Sequence, residues 1–289
     1  MSVYKSEKGK NAVREAVQEI YRQCPVPAES LWLDTEDFGP THVLTAGDPA
    51  APPLVLLHGS ASNSASWFGY LSSWSKVFRI YAVDIPGQPG LSGEERPGVS
   101  DGASVRWLEE LVEKLGLEYF HICGQSLGGC VGLQYAACRT DHLRSLALIS
   151  PSGLHPPRVS FLFKILPFLF LGDRGARKIN RIVSGKVAVD SRYEEFSLLT
   201  ARHFIPLMEK LPVLTDEELE RIRCPLLYIA GAEDVLLNTA RSAKRLRDIL
   251  PDSEINILEN VGHVVLDQGD VLEDFFKKKR VEVRLDLSP

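Results

Sequence analysis

The 289-residue sequence has no apolar run long enough for a membrane span; Phe161 to Leu171 comes closest, but it is short and carries Lys164 and Pro167. The opening Met1 to Lys10 lacks the apolar core of a signal peptide. The five cysteines (Cys24, Cys123, Cys130, Cys138, Cys224) are odd in number and show neither C-x-x-C nor Cys/His metal spacing. They read as reduced, buried thiols of a cytoplasmic protein. There is no P-loop and no dinucleotide fingerprint, so neither a cofactor nor a metal is expected. Internal repeats and low-complexity tracts are absent as well. With a net charge of −5, and Lys and Arg gathered in no one segment, nucleic acid is a poor partner and a small molecule a better one. Nothing in the pattern speaks to oligomeric state.

What is present is an ordinary globular balance, 44% apolar and 25% charged, in a chain long enough for one large α/β domain or two modest ones. Residues 7–21 repeat apolar side chains at helical spacing, and the alternating runs Leu31 to Asp37 and His42 to Ala46 suggest an antiparallel hairpin. Pro53 to Leu57 and Phe78 to Asp84 are continuous apolar runs, as strands are when helices cover both sheet faces. Further strands are expected before Ser126, at Ser145 to Ser150, at Cys224 to Gly231 and at Ile255 to Leu258, with late helices at about 239–249 and about 269–280. Strand alternating with helix gives a largely parallel sheet with helices on both faces. Residues 151–222 break the alternation with Pro-, Arg- and aromatic-rich helical patterns. The expected division is therefore a core from 1–150 and 223–289, with 151–222 inserted over the sheet as a helical cap.

The chemistry centres on Gly124-Gln125-Ser126-Leu127-Gly128, an instance of G-x-S-x-G. In such an elbow a strand reverses sharply into a helix while one side chain is held up, so the flanking positions want no Cβ and the central backbone is strained. A serine needs a base to become nucleophilic, and the base needs an orienting group. In an open α/β sheet both belong on loops at the carboxyl ends of later strands. Asp234, in Gly-Ala-Glu-Asp, and His263, in Asn-Val-Gly-His, fit in the order Ser126, Asp234, His263. Glu233 is the rival carboxylate. His121 lies within a strand, and His42, His142, His155 and His203 have no acidic or nucleophilic partner by topology. For the developing oxyanion the candidate donors are the backbone N–H groups of Leu127 and of Ser60, with His58 structural.

These pieces, with the Asp84 to Ser92 loop, resemble the α/β-hydrolase fold family, in particular its carboxylesterase-like serine hydrolases with a helical cap. The resemblance runs from about residue 30 to about 280, although the cap carries no transferable motif and the short final helix is followed by Val281 to Pro289. It implies a Ser-Asp-His triad and hydrolysis of a carboxylic ester through an acyl-enzyme, without cofactor or metal. The apolar bulk of Phe161 to Leu171 leads us to expect that part of it lines the cleft or its mouth and selects a small apolar acyl group. Ser126 argues against dehalogenases and epoxide hydrolases, which use an aspartate there. C–C bond hydrolases, lyases and peptidases stay open, as does a catalytically silent binding protein.

Overall fold

The continuous apolar runs become strands because a segment covered on both sheet faces accepts an apolar side chain at every position. The computed structural model describes residues 2–139, 141–187, 190–207 and 209–286, with side chains described as far as Lys278. Ala28–Thr35 (β1), Gly39–Ala46 (β2), Pro53–Leu57 (β3), Arg79–Val83 (β4), Phe120–Gln125 (β5), Leu143–Ile149 (β6), Leu226–Gly231 (β7) and Glu254–Leu258 (β8) form one sheet in the order β1-β2-β4-β3-β5-β6-β7-β8. β1 and β2 make the expected hairpin, β2 also pairs antiparallel with β4, and the remaining pairs are parallel.

Helices Glu7–Arg22 (α1), Phe68–Trp74 (α2), Ala103–Lys114 (α3) and Leu127–Cys138 (α4) precede or interleave with the first six strands. Val159–Ile165 (α5), Gly172–Ser184 (α6), Ser191–His203 (α7) and Asp216–Leu219 (α8) lie between β6 and β7, followed by Thr239–Ile249 (α9) and Gly269–Asp286 (α10). Strand side chains divide by parity between two cores. Val55, Leu57, Ile122, Leu146, Leu148 and Tyr228 meet α3, α4 and α9 on one face. Leu54, Leu56, Cys123, Ala147, Leu227 and Ile229 meet α2, the 3₁₀ turn Ser64–Trp67 before it and α10 on the other, through Trp67, Trp74, Phe275 and Phe276. α1, capped by the Ser6 hydroxyl accepting from the Gly9 amide, buries Val13 and Val17 with Phe196 of α7 and not against the sheet.

Three expectations need correction. The final helix does not end near residue 280; its backbone stays helical to Asp286, and the last three residues of the anticipated tail lie outside the described ones. Of the five thiols only Cys123 and Cys130 are buried; Cys24 and Cys224 are half-buried, and Cys138, the last residue of α4, is exposed. Phe161 to Leu171 is mostly exposed: only Phe161, Ile165 and Phe168 are half-buried, and the other eight residues face solvent. α5 has no buried residue; Pro167, which cannot donate a helical hydrogen bond, sits in a 3₁₀ turn over Leu166–Phe168, and the chain re-enters a helix at Gly172 with its apolar side chains turned outward.

Candidate active site

β5 delivers Ser126 at φ 50 and ψ −106, a strained backbone for a residue with a Cβ, and α4 begins at the next residue. The glycines on either side are required by contact. A Cβ at Gly124 would stand 2.5 Å from the Gly128 carbonyl oxygen, and one at Gly128 only 2.1 Å from that of Leu57. Ser126 donates its amide to Ile149 and accepts at its own carbonyl from Cys130 and Ser152, so the bend is tied to both β6 and α4.

Asp234 follows β7 and is buried. Its Oδ1 accepts the amides of Leu236 (2.7 Å) and Leu237 (2.9 Å), while Oδ2 lies 2.8 Å from Nδ1 of His263. His263 follows β8, anchors its amide on the Val183 carbonyl of α6 (3.0 Å), and places Nε2 3.1 Å from Oγ of Ser126. With Nδ1–H donating to a carboxylate, the lone pair at Nε2 faces the hydroxyl proton. The loops bearing Asp234 and His263 touch: a Cβ at Gly231 would lie 2.2 Å from the carbonyl oxygens of both Val261 and Gly262. Glu233 turns away and accepts from Lys186 Nζ (3.1 Å) at the surface, so of the two neighbouring carboxylates only Asp234 reaches the imidazole.

Ser60 lines the cavity that holds Ser126, and Leu127 opens α4, where an amide has no intrahelical acceptor. Among the described residues neither amide has a hydrogen-bond acceptor. His58 is structural, as expected. It is buried, its Nδ1–H donates to the Gly59 carbonyl (2.8 Å), its Nε2 accepts the Ile85 amide (3.0 Å), and burial lowers its pKa, which keeps it neutral.

Two supports escaped the sequence reading. Gln88 accepts the Ala61 amide at its Oε1 (2.9 Å), holding Ala61 at φ 54 directly after Ser60. Asp84, fully buried, collects five hydrogen bonds: Oδ1 from Tyr21 Oη (2.5 Å), Ser64 Oγ (2.6 Å) and the Ser64 amide (2.9 Å), Oδ2 from the Leu91 amide (2.9 Å) and His42 Nδ1 (3.0 Å). Burial by itself raises the pKa of this carboxyl, but the hydrogen bonds from His42 and Ser64 outweigh it and hold the group well below the usual carboxylate range. His42 therefore does have an acidic partner, against expectation, because the antiparallel pairing of β2 with β4 brings it beside the end of β4. An aspartate closing an apolar strand before a Pro/Gly loop was the available signal.

The cavity over Ser126 measures about 370 Å³ and is walled by Trp67, Tyr70, Ile149, Val183, Leu236 and Val265. Residues 151–222 contribute Val183, Asp190 and Tyr193 to the lining, and Phe161 to Leu171 contributes none, against the expectation that part of it lines the cleft itself. Among the described residues no group of His, Cys, Asp and Glu side chains is placed to hold a metal ion, and no helix is long and apolar enough to cross a membrane.

A sheet of this order, with a serine at a strained strand-to-helix turn and an aspartate and histidine after the next-to-last and last strands, defines the α/β-hydrolase fold. The chain belongs to the alpha/beta hydrolase family, whose pattern it matches over residues 54–275. It is 30% identical to the uncharacterized carboxylesterase nap of Bacillus subtilis (strain 168) over 248 residues, which cover 83% of this chain and 82% of that one. Carboxylesterase YbfK of the same organism is 27% identical over 258 residues, 83% of each chain. The crystal structure of naproxen esterase (carboxylesterase NP) from Bacillus subtilis superposes with a TM-score of 0.84 at 26% identity, over 94% of this chain and 99% of the other.

Proposed function

We propose that the chain is a carboxylesterase in which Ser126 is the nucleophile, His263 the base and acid, and Asp234 the group that orients His263. The observation that carries this reading is the hydrogen-bonded line from Ser126 Oγ to His263 Nε2 (3.1 Å) and from His263 Nδ1 to Asp234 Oδ2 (2.8 Å) at the floor of an apolar cavity. The carboxylesterases it resembles favour the same reading.

Ser126 Oγ bonds to the ester carbonyl carbon as its proton passes to His263 Nε2. The carbonyl oxygen, now an anion, is met by the amides of Ser60 and Leu127, each worth roughly a hundred- to thousandfold in rate. Collapse breaks the bond to the alcohol oxygen, which takes the proton from Nε2 and leaves an acyl group on Ser126. Water then repeats the sequence, His263 accepting its proton and returning it to Ser126 as the acid departs. Asp234 stays ionised throughout, offsetting the imidazolium charge.

The cavity walls favour a small apolar acyl group, and Val183, Asp190 and Tyr193 support a core of 1–150 and 223–289 carrying 151–222 as its cap. Five unpaired thiols suit a reducing compartment such as the cytoplasm. The test is a series of p-nitrophenyl esters from acetyl to dodecanoyl, with and without a serine-directed phosphonate. Turnover should be abolished by the phosphonate, and kcat/KM should rise up to about fourfold per methylene until the cavity is full. A steady decline from acetyl onward would remove the apolar acyl pocket, and phosphonate-resistant turnover would remove Ser126.

A further inference from the structure

The segment from Arg158 to Arg181 is built against the usual rule for a helix on a globular protein. Val159, Leu162, Phe163 and Leu166 recur at i, i+3, i+4 and i+7, the spacing of one helical face, yet that face looks into solvent. Leu169 to Leu171 continue it past the 3₁₀ turn, and Phe163 and Phe170 are 73% and 86% exposed. Seven large apolar side chains exposed within thirteen residues form a contiguous patch that needs a partner.

Charge identifies the partner. The whole chain carries −5, but Arg158, Lys164, Arg174, Arg177, Lys178 and Arg181 face a single acid, Asp173, in this stretch. The expectation that Lys and Arg gather in no one segment is thus wrong here. Asp173 is taken by Arg202, and Arg177 is matched by Glu194 of α7. Among the described residues no carboxylate pairs with the side chains of Lys164, Arg174, Lys178 or Arg181. Past Gly172 the exposed positions of α6 are Arg174, Arg177, Lys178 and Arg181, so an apolar helix and turn lead directly into a basic face. Two copies of the chain meeting through this surface would bring like charges together. An anionic lipid surface satisfies both features, taking the apolar side chains below its headgroups while its phosphates meet the cations.

We propose that α5, the 3₁₀ turn and the outward face of α6 dock the protein on the surface of an anionic bilayer, lying in its interface without crossing it. The docking element is fastened to the candidate active site. Arg158 donates its amide to the Leu236 carbonyl (2.7 Å) and its Nε–H to that of Leu237 (3.0 Å), the two residues whose own amides hold Asp234. Docking at this face therefore sets the reaction cavity, which Leu236 helps to line, next to the lipid.

The experiment is co-sedimentation of the full chain with vesicles of phosphatidylcholine alone and of phosphatidylcholine mixed with phosphatidylglycerol, alongside light scattering of the free protein. Binding to the mixed vesicles that weakens with added salt is expected. Phe163→Ser with Phe170→Ser should reduce it by about tenfold or more. Lys164→Gln, Arg174→Gln and Lys178→Gln together should reduce it by on the order of a hundredfold, at about fivefold per charge, and leave the weak partitioning to phosphatidylcholine unchanged. All five residues are exposed and lie outside the cavity lining, so turnover of a water-soluble ester should be retained in both variants and reports that they fold. Failure of the parent chain to bind mixed vesicles, or equal binding by both variants, overturns the proposal. So does a parent chain that self-associates without binding vesicles and becomes monomeric in the phenylalanine variant, since the face would then join copies of the protein.

Discussion

Replacing the Asp234 carboxylate by a carboxamide, Asp234→Asn, tests the candidate site most sharply, because the surroundings dictate which way the new amide must lie. Oδ1 of Asp234 accepts two backbone amides, from Leu236 at 2.7 Å and Leu237 at 2.9 Å, and an NH₂ group in that position would face two donors. The oxygen of the introduced carboxamide must therefore keep the Oδ1 site, leaving its NH₂ at the Oδ2 site, 2.8 Å from Nδ1 of His263. A donor there requires Nδ1 to be the acceptor, so the imidazole proton moves to Nε2, which then has no lone pair for the Ser126 hydroxyl 3.1 Å away. The geometry survives and the base is lost. Wrong-tautomer substitutions of this kind cost on the order of ten-thousandfold in kcat, about 5.4 kcal/mol of transition-state stabilisation. Stopped assays of p-nitrophenyl butyrate hydrolysis at high enzyme concentration cover that range, and thermal melting checks that the near-isosteric change leaves the fold intact. Activity within tenfold of the parent would refute the reasoning. A large loss in Glu233→Gln together with none in Asp234→Asn would transfer the role to the carboxylate that the structure pairs with Lys186.

Ser126→Ala should lower esterase activity by on the order of a millionfold without altering the melting temperature by more than a few degrees, and substantial residual turnover would place the nucleophile elsewhere. Gln88→Ala leaves the Ala61 amide without its acceptor, so the Ser60 amide loses its rigid mounting. We expect kcat to fall toward the loss of one oxyanion donor, roughly a hundredfold, while KM for a soluble ester moves little; a pure KM effect would count against Ser60. Gly124→Ala drives a Cβ into the Gly128 carbonyl, a backbone group that cannot swing aside as a side chain could, and should destabilise by about 1–3 kcal/mol in urea unfolding. Acid should weaken the fold in two stages. The His58 pKa is lowered by burial, so below about 6.5 the unfolded chain takes up a proton that the folded chain refuses, with a slope of up to about 1.4 kcal/mol per pH unit. Asp84 is also depressed, so its contribution is complete above the unfolded carboxyl value of about 3.9 and is lost as pH falls below it toward the folded value. A stability flat from pH 7 to pH 5 would show that His58 is not held neutral.

The strands, the elbow and the positions of Asp234 and His263 were readable from residue order because each rests on a local physical demand. Continuous apolar runs satisfy a strand covered on both faces, and Gly124 and Gly128 are glycines because the carbonyl oxygens of Gly128 and Leu57 leave no room for a Cβ. The choice of Asp234 over Glu233 rests on its being the fourth position of Gly231-Ala-Glu-Asp234, just clear of the strand end. The geometry itself needed contacts 29 and 137 residues apart in the chain. What residue order could not supply was the company each polar group keeps across the sheet. Asp84 gathers Tyr21, His42, Ser64 and Leu91 only because α1, β2 and two loops converge at the end of β4. Gln88 reaches Ala61 only across the gap between two loops. Phe161 to Leu171 is the plainest case. An apolar stripe at helical spacing states that it will be covered, but which surface covers it depends on where Pro167 and the packing of α6 turn that stripe, and here they turn it to the outside.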